Sequence, residues 1–446
     1  MNTPASELSA APRMRSLARV VGLWGAVWMG LGSILGTGVF VSLGIATGVV
    51  GSGIVFAVAL AAVVATANGL SSAQLAAALP VSGGTYEYGH ALVHPAAGFA
   101  AGWMFLAAKS ASAATAALGC AGYLLHTAGI ADDVVTRVAV ALAIVLVLTA
   151  LVAGGVRRSN HANVAIVTLT LAALGAFVVF GWMSADMDLL AARLGPATWT
   201  GALESPTALL HATALMFVAY TGYGRIATLG EEVREPARTI PRAIIATLVL
   251  SMLLYVSVSA VAVLVVGSET FAASTREAAA PLEVVARAFR HPEVAWLVAF
   301  GAVTAMAGVL LNLLLGLSRV LLAMARRREM PAALDRVSEA TSSPTRAVWA
   351  IGAFIAALVL LGDIETTWSF SAFSVLVYYG LTNLAALRLP VEARRFPRWV
   401  AVAGLVSCFG LAFFVEWQVW LAGIGLLGLG FVARAWILGR TRSVHA

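Results

Sequence analysis

The chemistry-bearing features of this chain are two glycine-rich interruptions and one lysine. The first interruption, GSILGTG (32–38), lies inside an otherwise apolar stretch. Three glycines weaken a helix there, since each costs about 1 kcal/mol relative to alanine. Gly32 and Gly36 also form a GxxxG pair, so tight helix packing is the competing reading. The second interruption, FVAYTGYG (217–224), favours a break over packing. Paired breaks at corresponding positions of two halves point to the binding site of a secondary transporter.

A broken helix offers its backbone as a ligand. Amides at the start of one half-helix favour an anion, and carbonyls at the end of the other favour an ammonium group. The pair suits a zwitterion. Thr37, with the amides near Gly36 and Gly38, is the candidate holder of a carboxylate. Carbonyls around Ile34, Val218, Ala219 and Thr221 are candidates for an α-ammonium.

Lys109 is the only lysine among 28 basic residues, and it falls near the middle of an apolar stretch at 97–126. Its helical neighbours Gly102, Phe105, Ser112, Ala113 and Ala116 are mostly small, as in a buried interface. A charge at the bilayer centre costs about 2.5–3.5 kcal/mol on insertion scales, so such a residue is a functional candidate by default. Lysine, unlike arginine, can also release its proton inside a protein.

The elements that position these residues follow from composition. Of 446 residues, 61% are apolar and 11% charged, too few charges to cover a soluble surface. Apolar stretches fall at 21–48, 51–79, 97–126, 134–153, 162–183, 206–229, 240–266, 294–325, 348–362, 366–388, 399–414 and 417–438. Most have the length that crosses a bilayer core. They must be helices, because backbone groups in lipid need partners within their own segment. The fold class is therefore all-α integral membrane with twelve spans, or eleven if the short 348–362 is not one.

Arginine sets the orientation. With the N-terminus inside, Arg13, Arg15 and Arg19 are cytoplasmic, as are the groups at Arg157 and Arg158, 225–242, 319–346, 388–398 and 434–442. Only Arg137, Arg193, Arg276, Arg287 and Arg290 remain outside, as the positive-inside rule requires. The net charge of +7 is thus a topology signal and not a nucleic-acid footprint. Residues 1–18 read as a cytoplasmic tail and not a secretory signal. Residues 19–388 form a core of two repeats (19–184 and 206–388), 389–438 two further helices, and 439–446 a cytoplasmic tail. The setting is the cell membrane.

At these residues the sequence resembles the amino acid–polyamine–organocation (APC) superfamily. GSILGTGVF (32–40) is similar to the family's first-helix motif, and LPVSGGTYEYG (79–89) to the loop after helix two. GFAAGW (98–103) resembles the start of helix three, FVAYTGYGRIATLGEEVREPARTIPRAI (217–244) helix six and its loop, and SRVLLAMARRREMP (318–331) the end of helix eight. The resemblance implies a LeuT-type fold: ten core helices in two inverted repeats, helices one and six discontinuous, plus two C-terminal helices. It implies alternating-access transport of amino acids or related amines, by proton symport or exchange.

Carried onto this chain, the resemblance puts Ile34, Gly36, Thr37 and Gly38 on the binding stretch of helix one, and Val218, Ala219 and Thr221 on that of helix six. Val218 replaces a position often aromatic, which enlarges the side-chain pocket. Tyr220 and Tyr223 are gating candidates, with plain packing as the alternative. Glu231 and Glu232 fit a structured cytoplasmic loop paired with Arg15 or Arg19.

Some proton-coupled members use a lysine in helix five, where this chain has Thr170. Lys109 instead falls where relatives carry a substrate-facing tyrosine. Three readings of it stay open: proton carrier, contact for a substrate carboxylate that disfavours cationic substrates, or structural group satisfied by helix-end carbonyls. Sodium coupling would draw on Thr170 as a possible ion ligand and ranks behind the proton.

Rival classes have less to stand on. There is no P-loop, no polar ring for a channel, and no cofactor motif; Cys120 and Cys408 and the scattered histidines lack metal spacing. Glu204, Glu283 and Asp363 read as solvated structural residues of extracellular connections. The expectation is a transporter and not an enzyme, taking neutral or small amino acids ahead of arginine or polyamines, as monomer or homodimer. A transporter-like amino acid sensor is the alternative from another class.

Overall fold

The computed structural model describes residues 21–79, 83–131, 133–155, 160–227, 233–338, 341 and 343–443. The tail at 1–18, Arg19, Arg157, Arg158, Glu231 and Glu232 lie outside the described residues, as do the side chains of Arg440 and Arg442. Helix occupies the described part of every apolar stretch read from the sequence. Among the described residues the only β-type pairing is an isolated parallel bridge between Val21 and Val233.

The first stretch contains α1 (Leu23–Ile34), a π-helical turn (Gly38–Ser42) and α2 (Leu43–Val50), and α3 (Ile54–Ala78) follows. A short α4 (Thr85–Leu92) leads to α5 (Pro95–Thr127), α6 (Val134–Ala153) and α7 (Asn160–Ser184). After α8 (Leu190–Leu194) and α9 (Pro196–Glu204), α10 (Pro206–Tyr220) passes through a 3₁₀ turn (Thr221–Tyr223) into α11 (Gly224–Ala227). Then come α12 (Pro236–Val266), the short α13 (Ser268–Ala278) and α14 (Pro281–Arg287), and α15 (Val294–Arg326). The chain ends with α16 (Thr345–Val359), α17 (Ile364–Leu387), α18 (Arg398–Ala412) and α19 (Trp417–Ser443). The last helix overruns the span read from hydropathy, which stopped at 438.

Eight helical stretches among the described residues are long and apolar enough to cross a membrane: Gly38–Ala78, Pro95–Thr127, Val134–Ala153, His161–Ser184, Pro236–Val266, Val294–Arg326, Ile364–Leu387 and Trp417–Gly439. This is a multi-pass membrane protein. Local sequence sets the helix starts. Asp133 caps α6 by accepting from the amides of Val135 and Thr136, and Asp363 caps α17 through Glu365 and Thr366.

α5 lies at the centre. Its most apolar window is 89% buried inside the protein, against 11% for α19. Alanines 107, 108, 111, 113, 114, 116 and 117 make this possible, since small side chains let backbones approach where lipid gives no hydrophobic drive between helices. Interhelical hydroxyl pairs fix the register of α5 on α17: Ser112 with Ser371 at 2.7 Å, and Thr115 donating to Thr367 at 2.9 Å. Each such bond is worth about 0.6 kcal/mol in membranes.

Glu283 departs from its expected solvated role. It is 1% exposed, accepts from Thr127 at 2.9 Å and Arg287 at 2.7 Å, and sits 3.1 Å from His126 Nδ1. A buried carboxylate needs such partners to offset its desolvation. Burial pushes its carboxyl upward, but these partners outweigh that and hold it below the ordinary glutamate value.

Candidate functional site

The first interruption is a true break. Leu35 leaves the helix for extended backbone (φ −78°, ψ 104°), while its amide still donates to Leu31 O at 2.7 Å. Among the described residues, the amides of Gly36, Thr37 and Gly38 donate to no carbonyl across the break. Helix then resumes as the π-turn at Gly38, the kind of irregularity that accompanies functional sites.

The second interruption is milder than an unwound segment. Thr221 and Gly224 keep right-handed helical dihedrals, and the chain tightens into the 3₁₀ turn instead of opening. Close packing explains the glycine there. A Cβ on Gly222 would collide with the Ser33 carbonyl, so the turn lies directly on the end of α1. A Cβ on Gly38 would come within 2.7 Å of Ala219 Cβ, so the approach is reciprocal.

Between the two breaks is a cavity of about 50 Å³. Ile34, Thr37 and Gly38 line it from the first interruption, and Val218, Ala219 and Thr221 from the second. Lys109 of α5 completes the set drawn from the sequence. Ser33 and Gly222 of the two interruptions and Ser112 beside the lysine also line it, as do Val309, Leu313 and Trp368, which the sequence did not single out. Gly36, Tyr220, Tyr223 and Thr170 do not line the cavity. Gly36 instead admits Val309, whose Cγ2 would be 2.7 Å from a Cβ there.

Polar geometry in the cavity is uneven. Lys109 Nζ donates to Thr221 Oγ1 at 2.7 Å, and that hydroxyl donates to Val218 O at 2.7 Å. The Tyr255 hydroxyl on α12 lies 3.0 Å from Ile34 O and 3.3 Å from Ala219 O, tying the two breaks together. Tyr379 on α17 donates to Thr221 O at 3.1 Å. Of the four carbonyls expected to receive an ammonium, Val218 O and Thr221 O each accept one hydroxyl, and Ile34 O and Ala219 O share the single Tyr255 proton. Thr37 differs: it is 4% exposed, and its hydroxyl is buried without a partner. Such a group is costly unless something fills its hydrogen-bonding capacity.

The two gating candidates are packed. Tyr220 donates to Val58 O of α3 at 3.2 Å, and its ring lies 5.2 Å from that of Tyr255. Tyr223 packs on the ring of Tyr379 at 5.4 Å. Thr170 donates to Ile166 O at 2.8 Å within its own helix. Among the described residues no group of three His, Cys, Asp or Glu could hold a metal ion.

At the end of α15, Glu329 organises a separate cluster. It accepts from Tyr86 at 2.7 Å and from Arg434 at 2.9 Å, with His90 Nε2 3.3 Å away. Burial pushes its carboxyl upward, yet His90, Tyr86 and Arg434 together hold it below the ordinary value. Burial pulls the His90 imidazole down, but its bond to Glu329 raises it above the ordinary value on balance. The cluster joins α4, α15 and α19.

The missed residues carried weak signals. Tyr255 and Tyr379 sit in apolar helices as ordinary core aromatics would. For α17 a hint existed in its lower hydropathy than that of α12, which marks a helix turned toward the protein interior.

Against known proteins, the sequence matches the family described as amino acid permease over residues 25–438. It is 41% identical to an uncharacterized transporter of Mycobacterium tuberculosis over 94% of this chain and 91% of that one. It is 27% identical to the branched-chain amino acid permease BcaP of Bacillus subtilis, covering 91% and 88% of the two chains. With the methylthioribose transporter of the same organism it shares 23%, covering 96% and 95%.

Proposed function

The chain belongs to the amino acid permease family, and from that premise we propose that it carries small or neutral amino acids into the cell by alternating access, coupled to the proton. The observation that carries this reading is the cavity between the two interruptions, where Lys109 reaches Thr221 and Thr37 lacks a partner. Twelve spans in the LeuT-type 5+5 arrangement, with both termini cytoplasmic, are the topology proposed. Helices at every apolar stretch, with a break in the first and a 3₁₀ turn in the sixth, support it.

The substrate class follows from the walls. Ile34, Val218, Val309 and Leu313 are aliphatic, the volume is small, and the one charged side chain is positive. A cationic side chain would meet Lys109 unfavourably, whereas a small aliphatic one meets apolar surface. The Bacillus subtilis relative named for branched-chain amino acids agrees with that preference.

In the proposed cycle the substrate carboxylate docks at Thr37, the Gly36–Gly38 amides and Lys109. A bound carboxylate favours the charged lysine, so substrate and proton are taken up together. Opening toward the cytoplasm hydrates the site, and the proton and substrate leave. Tyr255 keeps the two breaks moving as a unit. The proton is preferred over sodium because Thr170 directs its hydroxyl to its own helix.

Uptake by the purified chain in liposomes tests the reading. Labelled valine, leucine, alanine and arginine are offered with an outside-acid pH gradient, with and without sodium. Accumulation of the neutral amino acids that needs the gradient and not sodium is expected. Preference for arginine, or no gradient-driven accumulation of any neutral amino acid, would overturn it.

A further inference from the structure

The polar groups of the cavity are more numerous on one side of the zwitterion than on the other. In the substrate-bound form of the cycle proposed above Lys109 Nζ carries three protons, of which one engages Thr221 Oγ1. Thr37 has a buried, unpartnered hydroxyl, and the helix resuming at Gly38 begins with amides that donate to no carbonyl across the break. The lysine and the amides can only donate and so recognise an anion, and the Thr37 hydroxyl is free to donate to the same group. On the opposite side, Ile34 O and Ala219 O share Tyr255, Val218 O holds Thr221, and Thr221 O holds Tyr379. Among the described residues no acidic side chain lines the cavity.

Charge balance leads to the same conclusion. A zwitterion brings no net charge, so Lys109 would be neutralised only locally, by its carboxylate. An incoming ammonium would lie close to Lys109 and would have to share carbonyls that already accept hydroxyls. A monoanion would neutralise the site without that repulsion, and a charge-assisted bond is about twice as strong as a neutral one.

We infer that this site, as read above for amino acids, grips its substrate by the carboxylate and does not require the α-ammonium. Small aliphatic monocarboxylates, including 2-oxo and 2-hydroxy acids with a branched side chain, are then ligands of the same cavity. Amines of the same carbon skeleton are not. The inference rests on the amino acid site proposed above, but it differs in which end of the molecule carries recognition.

Titration calorimetry on the purified full chain in detergent separates the ends. The probes are L-valine, 2-oxoisovalerate, isovalerate and isobutylamine. Binding of both carboxylates within about tenfold of L-valine, and none of isobutylamine, is expected. Lys109→Met and Thr37→Val, each checked for a monodisperse fold, should weaken both carboxylates about tenfold or more. If isobutylamine binds, or L-valine binds while both carboxylates fail, the inference is overturned. If the carboxylates bind and L-valine does not, the inference stands and the amino acid reading falls. Silence of all four probes overturns both. Should one variant not fold, the other still reads the loss.

Discussion

The side-chain nitrogen of Lys109 and the hydroxyl of Thr221 are 2.7 Å apart, joining the centre of α5 to the turn that interrupts the sixth apolar stretch. The 3₁₀ turn after α10 and the central helix are thereby linked through one hydroxyl. Thr221→Val removes that acceptor and also the donor to Val218 O. Uptake should fall about tenfold, the size of one hydrogen bond to a charged group, and Thr221→Ser should restore most of it. Initial uptake rates of the three proteins in liposomes provide the comparison.

Gly38 and Ala219 face each other across the two breaks, with 2.7 Å available between a Cβ on the glycine and that of the alanine. Gly38→Ala therefore forces the breaks apart, an overpacking worth about 1–3 kcal/mol. Uptake should be largely lost while membrane insertion is normal. Ala219→Gly in the same chain should bring back part of the activity, because it removes the opposing methyl. A double variant no better than the single one would show that the contact is not the cause.

Tyr255 bonds to the carbonyls of Ile34 and Ala219. Tyr255→Phe leaves the ring in place and takes away the shared donor, at a cost of about 1–3 kcal/mol if the carbonyls stay buried. The thermal midpoint should drop, and the half-saturating substrate concentration should rise several-fold. A change in midpoint alone would reduce Tyr255 to a packing residue.

The cluster around Glu329 makes stability depend on pH with a definite sign. The folded state raises His90 above its ordinary value of about 6.5, so its contribution is complete below that pH. It is lost as pH rises through the raised value. Glu329 is held low, and its contribution is present above the ordinary carboxyl range and lost as pH falls. From about pH 6 to pH 8 the midpoint should therefore decline, by about 1–2 °C for a chain of this size. His90→Gln should flatten that stretch of the profile, which melting curves across the range would record.

The fold was legible in outline because lipid leaves so few options. An apolar run of the right length must be helical, and helix was found in the described part of each one. The breaks were legible because Gly36, Thr37, Gly38 and Gly222 violate the composition of a spanning helix. Lys109 stood out for the same reason. Val309, Leu313 and Trp368 have no such mark: they are ordinary apolar residues of their own helices, and only the packing of α15 and α17 on α5 brings them to the cavity. Tyr255 and Tyr379 were hidden likewise, since a hydroxyl's partner on another helix leaves no trace in local sequence. Glu283 was misread because, beside the local Arg287, its partners His126 and Thr127 lie far away in the chain.

The central claim is that substrate sits between the two breaks and touches Lys109 and Thr37. Counterflow of a labelled neutral amino acid in liposomes isolates that contact, because it needs binding and alternation but no driving gradient. The account predicts saturable exchange in the native chain. It predicts half-saturating concentrations raised about tenfold or more in both Lys109→Met and Thr37→Val. Native half-saturation in both folded variants would contradict it and place the substrate elsewhere.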